Sequence, residues 1–324
     1  MSKKGEILKL LENGRTEYIS GEDICQKLNV SRTAVWKHIK ILREEGYGID
    51  AVPHRGYRLL NVPDRLYPDE IVDGLDTSFV GKEVFFYESL ISTNREARDL
   101  ALGGACEGTL VVAEEQAGGR GRMNRGWYSP RGSGIHCSLI LRPDIEPRQA
   151  PPVTMLTAVA VASAVEKVSG IAPGIKWPND LLLDGKKICG ILTEMNAEIE
   201  RINFLVVGMG LNINTDHFPE EIKDAATSLY LAGGSRVSRL DVLRQYLKEF
   251  EHYYRQWMEY GFEPVLDEWK KRCVTLNRPV RISASREVWE GWAVDVDSTG
   301  ALVLRTADGE LRSFVAGEVS LRTV

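Results

Sequence analysis

Ten consecutive residues, Gly118 to Trp127, limit what this chain can fold into more than any other stretch: Gly-Gly-Arg-Gly-Arg-Met-Asn-Arg-Gly-Trp. Four glycines remove the Cβ atoms that would keep backbone N–H groups away from a ligand. Arg120, Arg122 and Arg125, interleaved with them, carry fixed cationic forks that match carboxylate and phosphate. Such a loop is built to close over an anion, although Gly- and Arg-rich loops also serve as solvated connections or unspecific nucleic-acid contacts. No Gly-Lys-Ser or Gly-Lys-Thr ends the run, and it lacks the spacing of the dinucleotide fingerprint. Phosphate chemistry here requires a different fold from either.

At 324 residues the chain exceeds one ordinary domain, so two or three units with a sizeable core are expected. A hydrophobic fraction of 43%, a charged fraction of 27% and a net charge of -5 are ordinary globular values. No apolar run reaches the roughly 18 residues of a membrane span, and no apolar signal core follows the N-terminus, so a cytoplasmic protein without a membrane role is expected. Cys25, Cys106, Cys137, Cys189 and Cys273 are scattered singly and read as reduced, buried small hydrophobes. His38, His54, His136, His217 and His252 are equally dispersed, which argues against a zinc site or a serine-type triad. Residues 1 to 63 hold 11 Lys/Arg against 8 Asp/Glu, net +3, so the mild basicity lies at the N-terminus.

That N-terminal part reads as a winged helix. Ile7, Leu8, Leu10 and Leu11 pattern a first helix, and Ser20 has cap spacing before a second with Ile24 and Leu28, ended by Asn29. Ser31 caps a third, running to about Glu45, whose Val35, Ile39 and Leu42 form one core-facing stripe. At about 100° per residue, Thr33, Lys37 and Lys40 gather on the opposite side, with Arg32, Trp36 and Arg43 at its flanks. This is the arrangement of a helix-turn-helix entering the DNA major groove; the other reading is a merely solvated or protein-binding cationic face. Residues Tyr47 to Leu60 read as a two-stranded wing with His54, Arg55 and Gly56 at its tip, and Asn61 to Asp64 as a linker.

From about Leu66 to Arg272, strands at 83–88, 109–114, 135–141 and 201–208 alternate with helices at 94–102 and 152–169, a mixed α/β domain with one large core. After Cys273 come short strand-like runs, 279–283, 287–295, 301–305 and 310–315, spaced by turn signals as in a small β-barrel. The expected division is therefore 1–63, 64–272 and 273–324.

Several ordered motifs then agree: Ser92-Thr-Asn94, Gly119-Arg-Gly-Arg122 with Trp127, Lys176-Trp-Pro-Asn-Asp180, Lys187-Ile-Cys-Gly-Ile-Leu192, Gly208-Met-Gly-Leu-Asn-Ile-Asn214 and Gly317-Glu-Val-Ser-Leu-Arg322. Over almost its whole length the chain resembles the biotin protein ligases of the bifunctional type that also repress the biotin operon. The resemblance implies a winged helix, a class II synthetase-like catalytic domain and an SH3-like barrel. It implies activation of the biotin carboxylate with ATP and Mg²⁺ to biotinyl-5′-AMP, then transfer to a lysine of a biotin carboxyl carrier domain. It also implies a homodimer promoted by the adenylate that binds operator DNA, with Arg32, Thr33, Trp36, Lys37, Lys40 and Arg55 on the DNA side. No tightly bound prosthetic group is implied.

By the same resemblance, Ser92, Thr93, Asn94 and Gln116 meet the ureido ring, while Arg120, Gly121 and Arg122 lie at the carboxylate and phosphate end, with Lys187 as the key cation. Ser92 to Asn94 read from residues alone as a helix cap, and Lys187 as a surface lysine. Arg125, Trp127, Lys176, Asn179, Asp180 and Asn212 are expected near the adenylate. Asp180 either helps hold Mg²⁺ or holds a basic side chain; Trp127 either stacks on adenine or anchors the loop; Trp177 is either pocket or core. Met123, Asn124 and Gly126 make the loop less basic than is frequent in the family, which bears on how firmly the adenylate is kept. Lipoate attachment and a sensor without catalysis are the rival readings.

Overall fold

The computed structural model describes residues 3–14, 17–284 and 287–321, so Arg322 of the terminal motif lies outside the described residues. The chain forms two compact units, Met1–Gly74 and Leu75–Val324.

In the first unit α1 (Lys3–Asn13), α2 (Gly21–Leu28) and α3 (Arg32–Glu44) precede a hairpin of β1 (Gly48–Val52) and β2 (Gly56–Asn61), and α4 (Pro68–Val72) closes it. The helix starts follow from their caps: Ser20 Oγ accepts from Asp23 N at 3.0 Å and Ser31 Oγ from Ala34 N at 3.2 Å. Asn29 leaves α2 in the left-handed conformation, where an Asn side chain costs least after glycine. Val35, Ile39 and Leu42 of α3 meet Ile7, Leu11 and Ile24 in one buried cluster, as the stripe requires. Each such side chain contributes about 1.5–3 kcal/mol relative to exposure. Ile19 exchanges backbone hydrogen bonds with Tyr57 of β2 at 2.8 and 2.9 Å and so adds a third short segment to the wing.

The second unit is built on β3 (Val84–Tyr87), α5 (Thr93–Leu102), β4 (Leu110–Ala113), β5 (Gly134–Leu141), α6 (Pro152–Ser169), β6 (Gly174–Lys176), β7 (Asp180–Leu183), β8 (Lys186–Ala197) and β9 (Ile202–Asn212). Its seven strands lie in the order β3-β4-β5-β9-β8-β7-β6, with β3 and β4 parallel and the other pairs antiparallel. α5 packs Ala97 and Ala101 against Val111, Ile140, Phe204 and Val206 of the sheet. α6, buried along nearly its whole length, packs with α8 (Arg239–Tyr260) and α9 (Glu263–Arg272), while α7 (Leu229–Gly233) is a single short turn of helix. The expectation that no apolar run has the length of a span needs correction. The segment Pro147–Ser169 passes on length and hydropathy, and 72% of its apolar window is inside the fold, as in a core helix. The cysteines also differ from expectation: Cys137 and Cys189 are buried, Cys25 and Cys273 half-buried, and Cys106 is exposed.

β10 (Arg278–Ala284), β11 (Glu287–Val296), β12 (Leu302–Thr306), β13 (Leu311–Phe314) and β14 (Glu318–Leu321) form an antiparallel sheet in the order β13-β12-β11-β10-β14. β14 falls within the terminal motif and was not expected as a separate strand. It pairs with β10, Ile282 opposite Val319, and the two side chains join the buried core of this sheet. This sheet shares the second compact unit with the seven-stranded one.

Candidate functional site

A cavity of about 580 Å³ opens over the seven-stranded sheet where β8 and β9 run side by side. Its floor is glycine by necessity: a Cβ on Gly210 would stand 2.3 Å from Trp127 Nε1, and one on Gly208 1.9 Å from Asn94 Oδ1. The Gly-Arg loop closes over this floor as a small hairpin, with Trp127 N donating to Gly119 O at 2.9 Å and Gly121 N to Arg125 O at 2.7 Å. At its turn Met123 and Asn124 have φ of 56° and 58°, the left-handed region, and Met123 is exposed. Trp127 lies down against Gly190 and Gly210, with Lys187 Nζ 5.5 Å from its ring centre, so it anchors the loop to the pocket floor.

Three of the cavity's cations, Lys187, Arg122 and Arg125, arrive with side-chain partners. Lys187 Nζ is 2.6 Å from Asp180 Oδ1, an ion pair rather than an aligned hydrogen bond, so Asp180 faces a basic side chain here. Arg122 Nη1 donates to Asn179 Oδ1 at 3.1 Å, and Asn179 Nδ2 donates to Ile191 O at 2.8 Å. Burial pulls the Arg122 guanidinium below its ordinary pKa, against the opposite pull of Asp180 and Glu318. Burial also lowers the Lys176 ammonium, Asp180 raising it and Lys187 lowering it. Arg125 makes a double contact with Glu318 of β14, which raises its pKa, and Arg120 is exposed with no hydrogen bond or ion pair among the described residues. Five cations, Arg120, Arg122, Arg125, Lys176 and Lys187, thus border one concave space, where added negative charge is favoured over neutral occupancy.

The opposite wall is polar and internally bonded. Gln116 Oε1 accepts from Thr93 N at 2.9 Å, and Gln116 Nε2 donates to Ser129 Oγ at 3.1 Å. Asn94 Nδ2 donates to Leu192 O at 3.2 Å and Glu194 Oε2 at 2.8 Å, while its Oδ1 accepts from Ser138 Oγ at 2.7 Å. Ser92 is the N-cap residue of α5, as the cap reading expects, but its hydroxyl makes no capping hydrogen bond, and the residue borders the cavity. Asn212, the last residue of β9, is buried and donates to Thr227 O at 3.1 Å. Trp177 is 1% exposed and donates from Nε1 to Gly300 O at 3.0 Å, and its N–H donates to Thr275 Oγ1 at 2.9 Å. Its ring is therefore buried against the start of the C-terminal segment, although the residue also borders the cavity beside the half-buried Lys176, Asn179 and Asp180.

All the expected pocket residues border this one cavity, from Ser92 through Gly121 to Asn212. Other lining residues, among them Tyr128, Phe218, Ile222 and Glu318, were not expected as pocket residues. Tyr128 and Phe218 face each other at 6.1 Å between ring centres. Of these four, only Glu318 carried a signal, the terminal Gly-Glu-Val-Ser motif; the others lie in loops without pattern. Among the described residues no group of three or more His, Cys, Asp or Glu side chains is arranged to hold a metal ion.

On the first unit, Thr33, Lys37 and Lys40 are exposed on α3, and Trp36 is 59% exposed with Lys40 Nζ 5.9 Å from its ring centre. Arg32 pairs with Glu22 at 2.9 Å, and Arg43 turns away from this face to donate to Ile49 O. Arg55, at the wing tip, lies 4.3 Å from the Tyr18 ring centre.

Residues 4–58 match a family described as HTH domain, residues 87–212 the biotin/lipoate A/B protein ligase family, and residues 275–322 the biotin protein ligase C terminal domain. The chain is 42% identical to the bifunctional ligase/repressor BirA of Bacillus subtilis (strain 168), over 98% of either chain. It is 30% identical to the protein of the same description from Escherichia coli (strain K12), over 98% of this chain and 97% of that one. Its structure is similar to that of the biotin protein ligase from Aquifex aeolicus in complex with biotin and ATP, with a TM-score of 0.66 and 28% identity over 75% of this chain and all of the other.

Proposed function

Because the chain belongs to the bifunctional biotin ligase/repressor family, we propose that the cavity of its second unit joins biotin to AMP and passes the biotinyl group to a carrier-domain lysine, while the first unit binds operator DNA. The chain is an ATP-dependent biotin ligase and a DNA-binding repressor. The observation that carries the reading of the site is the meeting of Arg122, Lys176 and Lys187 with the Ser92 hydroxyl and the glycine floor in one cavity.

The carboxylate of biotin attacks the α-phosphorus of ATP, a P–O bond to pyrophosphate breaks, and the mixed anhydride forms. Two anions must approach each other, so cations fixed in advance lower the barrier most. In this proposal Lys187 contacts the acyl and phosphate oxygens, Arg122 and Arg120 the carboxylate and phosphate end, and Lys176, Arg125, Trp127, Asn179, Asp180 and Asn212 the adenylate. Ser92, Thr93, Asn94, Gln116 and Gly121 line the biotin side. The acceptor amine then attacks the acyl carbon, the bond to AMP breaks, and the lysine loses a proton. Mg²⁺ enters in this reading with the phosphates of ATP. Both candidate carboxylates near the cavity, Asp180 and Glu318, already face a cation, so neither alone forms a metal site.

The intrinsic parts of the proposal extend to residues 1–63, 64–272 and 273–324 as DNA-binding, catalytic and supporting segments in the cytoplasm, and to a homodimer favoured by the adenylate. Sedimentation velocity with and without biotinyl-5′-AMP reads the last of these. The activity is tested by mass spectrometry of a biotin carboxyl carrier domain incubated with the full chain, ATP, Mg²⁺ and either biotin or lipoate. ATP-dependent addition of biotin is expected; addition of lipoate alone overturns the substrate, and no addition with biotin still bound favours a sensor.

A further inference from the structure

The wing of the first unit contains a cluster that the helix-turn-helix does not explain. Tyr18 lies before α2, outside both the recognition helix and the wing, yet the backbone bridge between Ile19 and Tyr57 brings it beside β2. Its ring carries two guanidinium groups, Arg55 at 4.3 Å and Arg58 at 4.6 Å from the ring centre. Its hydroxyl donates to Asp50 Oδ2 at 2.5 Å, and this bond raises the phenol pKa. Asp50 lies opposite Arg58 in the β1–β2 register and is 3.7 Å from its Nη2.

The two arginines are held differently. Arg58 is half-buried and has the Asp50 carboxylate beside it. Arg55 is exposed at the tip, and its side chain has no ion pair or hydrogen bond among the described residues; the ring is its contact. Stacking uses the face of a guanidinium and leaves its in-plane N–H donors free. A carboxylate partner would consume those donors and cancel the charge. An aromatic pedestal is therefore a means of fixing an arginine while keeping it fully available to an anion.

We infer that Tyr18, braced by Asp50, is a positioning residue that holds Arg55 at the wing tip for a DNA backbone phosphate. The inference rests on the DNA-binding reading of this unit. Arg55 acts on the phosphate and Tyr18 acts through Arg55, so the two substitutions must share one effect. The ion-release contribution of one phosphate contact must disappear with either of them.

The test is a double-mutant cycle on the full chain with biotin and ATP, using a duplex selected from a random pool by the unsubstituted chain. Tyr18→Ala and Arg55→Ala are each expected to weaken binding about tenfold, and the double variant hardly further, the size of one charge-assisted hydrogen bond. Each should also flatten the slope of log affinity against log salt by about 0.9. Tyr18→Leu, which keeps apolar bulk but has no ring, should behave as Tyr18→Ala, and carrier biotinylation should be unchanged throughout. Losses that multiply in the double variant, an unaltered salt slope, or wild-type binding by Tyr18→Leu would overturn the inference. Failure of the unsubstituted chain to select any duplex would instead remove the DNA-binding reading beneath it.

Discussion

The two cation-bearing regions of this molecule, the cavity and the face of α3 with the wing, hold their positive charge differently. In the cavity Lys187 sits on Asp180, Arg122 on Asn179 and Arg125 on Glu318, so these three side chains are partnered before any ligand enters, while exposed Arg120 is not. On the face proposed to meet DNA, Arg32 and Lys40 make only exposed pairs with Glu22 and Glu44, Lys37 is exposed without an ion pair among the described residues, and Arg55 rests on an aromatic ring rather than a carboxylate. An enclosed cavity cannot hold several bare cations without a large desolvation and repulsion cost, so partners fix them in place and a ligand displaces or shares those partners. An open face has no such cost, and free cations there gain from releasing the counterions of DNA. The same residue types are thus specified for geometry in one region and for availability in the other.

The contrast breaks most visibly at Lys187. If its charge is fixed for the transfer, Lys187→Ala should slow single-turnover adenylate formation by roughly 100- to 1000-fold, with Arg122→Ala near the lower figure. Rates near wild type for both, measured by pyrophosphate release, would mean that the partnered cations are structural.

A smaller effect is expected from acid. His136 is buried beside the Arg239–Glu114 ion pair, and burial, then the Arg239 charge, push its pKa down to about 3. Its folded pKa lies below the unfolded value of about 6.5, so between them the unfolded chain binds the extra proton and stability falls as pH falls. From pH 7 to pH 5 this group should cost the second unit about 2 kcal/mol. Urea unfolding of the wild type and His136→Phe at both pH values should show that difference, and parallel losses in the two proteins would assign the acid sensitivity elsewhere.

The smallest effect belongs to the rim. Arg125 is 65% exposed in its side chain, so its pair with Glu318 is screened and Arg125→Ala should change stability by less than about 1 kcal/mol. A thermal midpoint shifted by much more than a few degrees would show that β14 depends on this contact and that the rim belongs with the fixed cations of the interior.

Much of this was legible in the residues. The stripe of Val35, Ile39 and Leu42, the caps Ser20 and Ser31, and the αL Asn29 are local signals, and each acts within one or two turns of helix. The pocket residues could be gathered because they fall in short ordered motifs. Less legible were α8 and α9, whose apolar positions serve a face set by α6, and β14, which is defined by its pairing with β10. Tyr128 and Phe218 come from loops separated by 90 positions, with no pattern to join them.

The sequence by itself determined which residue types were present to meet an anion, where helices start and stop, and which stretch could approach a ligand closely, because glycine, caps and period act through neighbours along the chain. Only the tertiary structure decided that the Trp177 ring is buried while Lys176, Asn179 and Asp180 are half-buried at the cavity, that Asp180 pairs with Lys187, and that Tyr18 lies against Arg55. Those outcomes depend on distances between residues far apart in sequence, and burial and charge pairing are properties of that proximity.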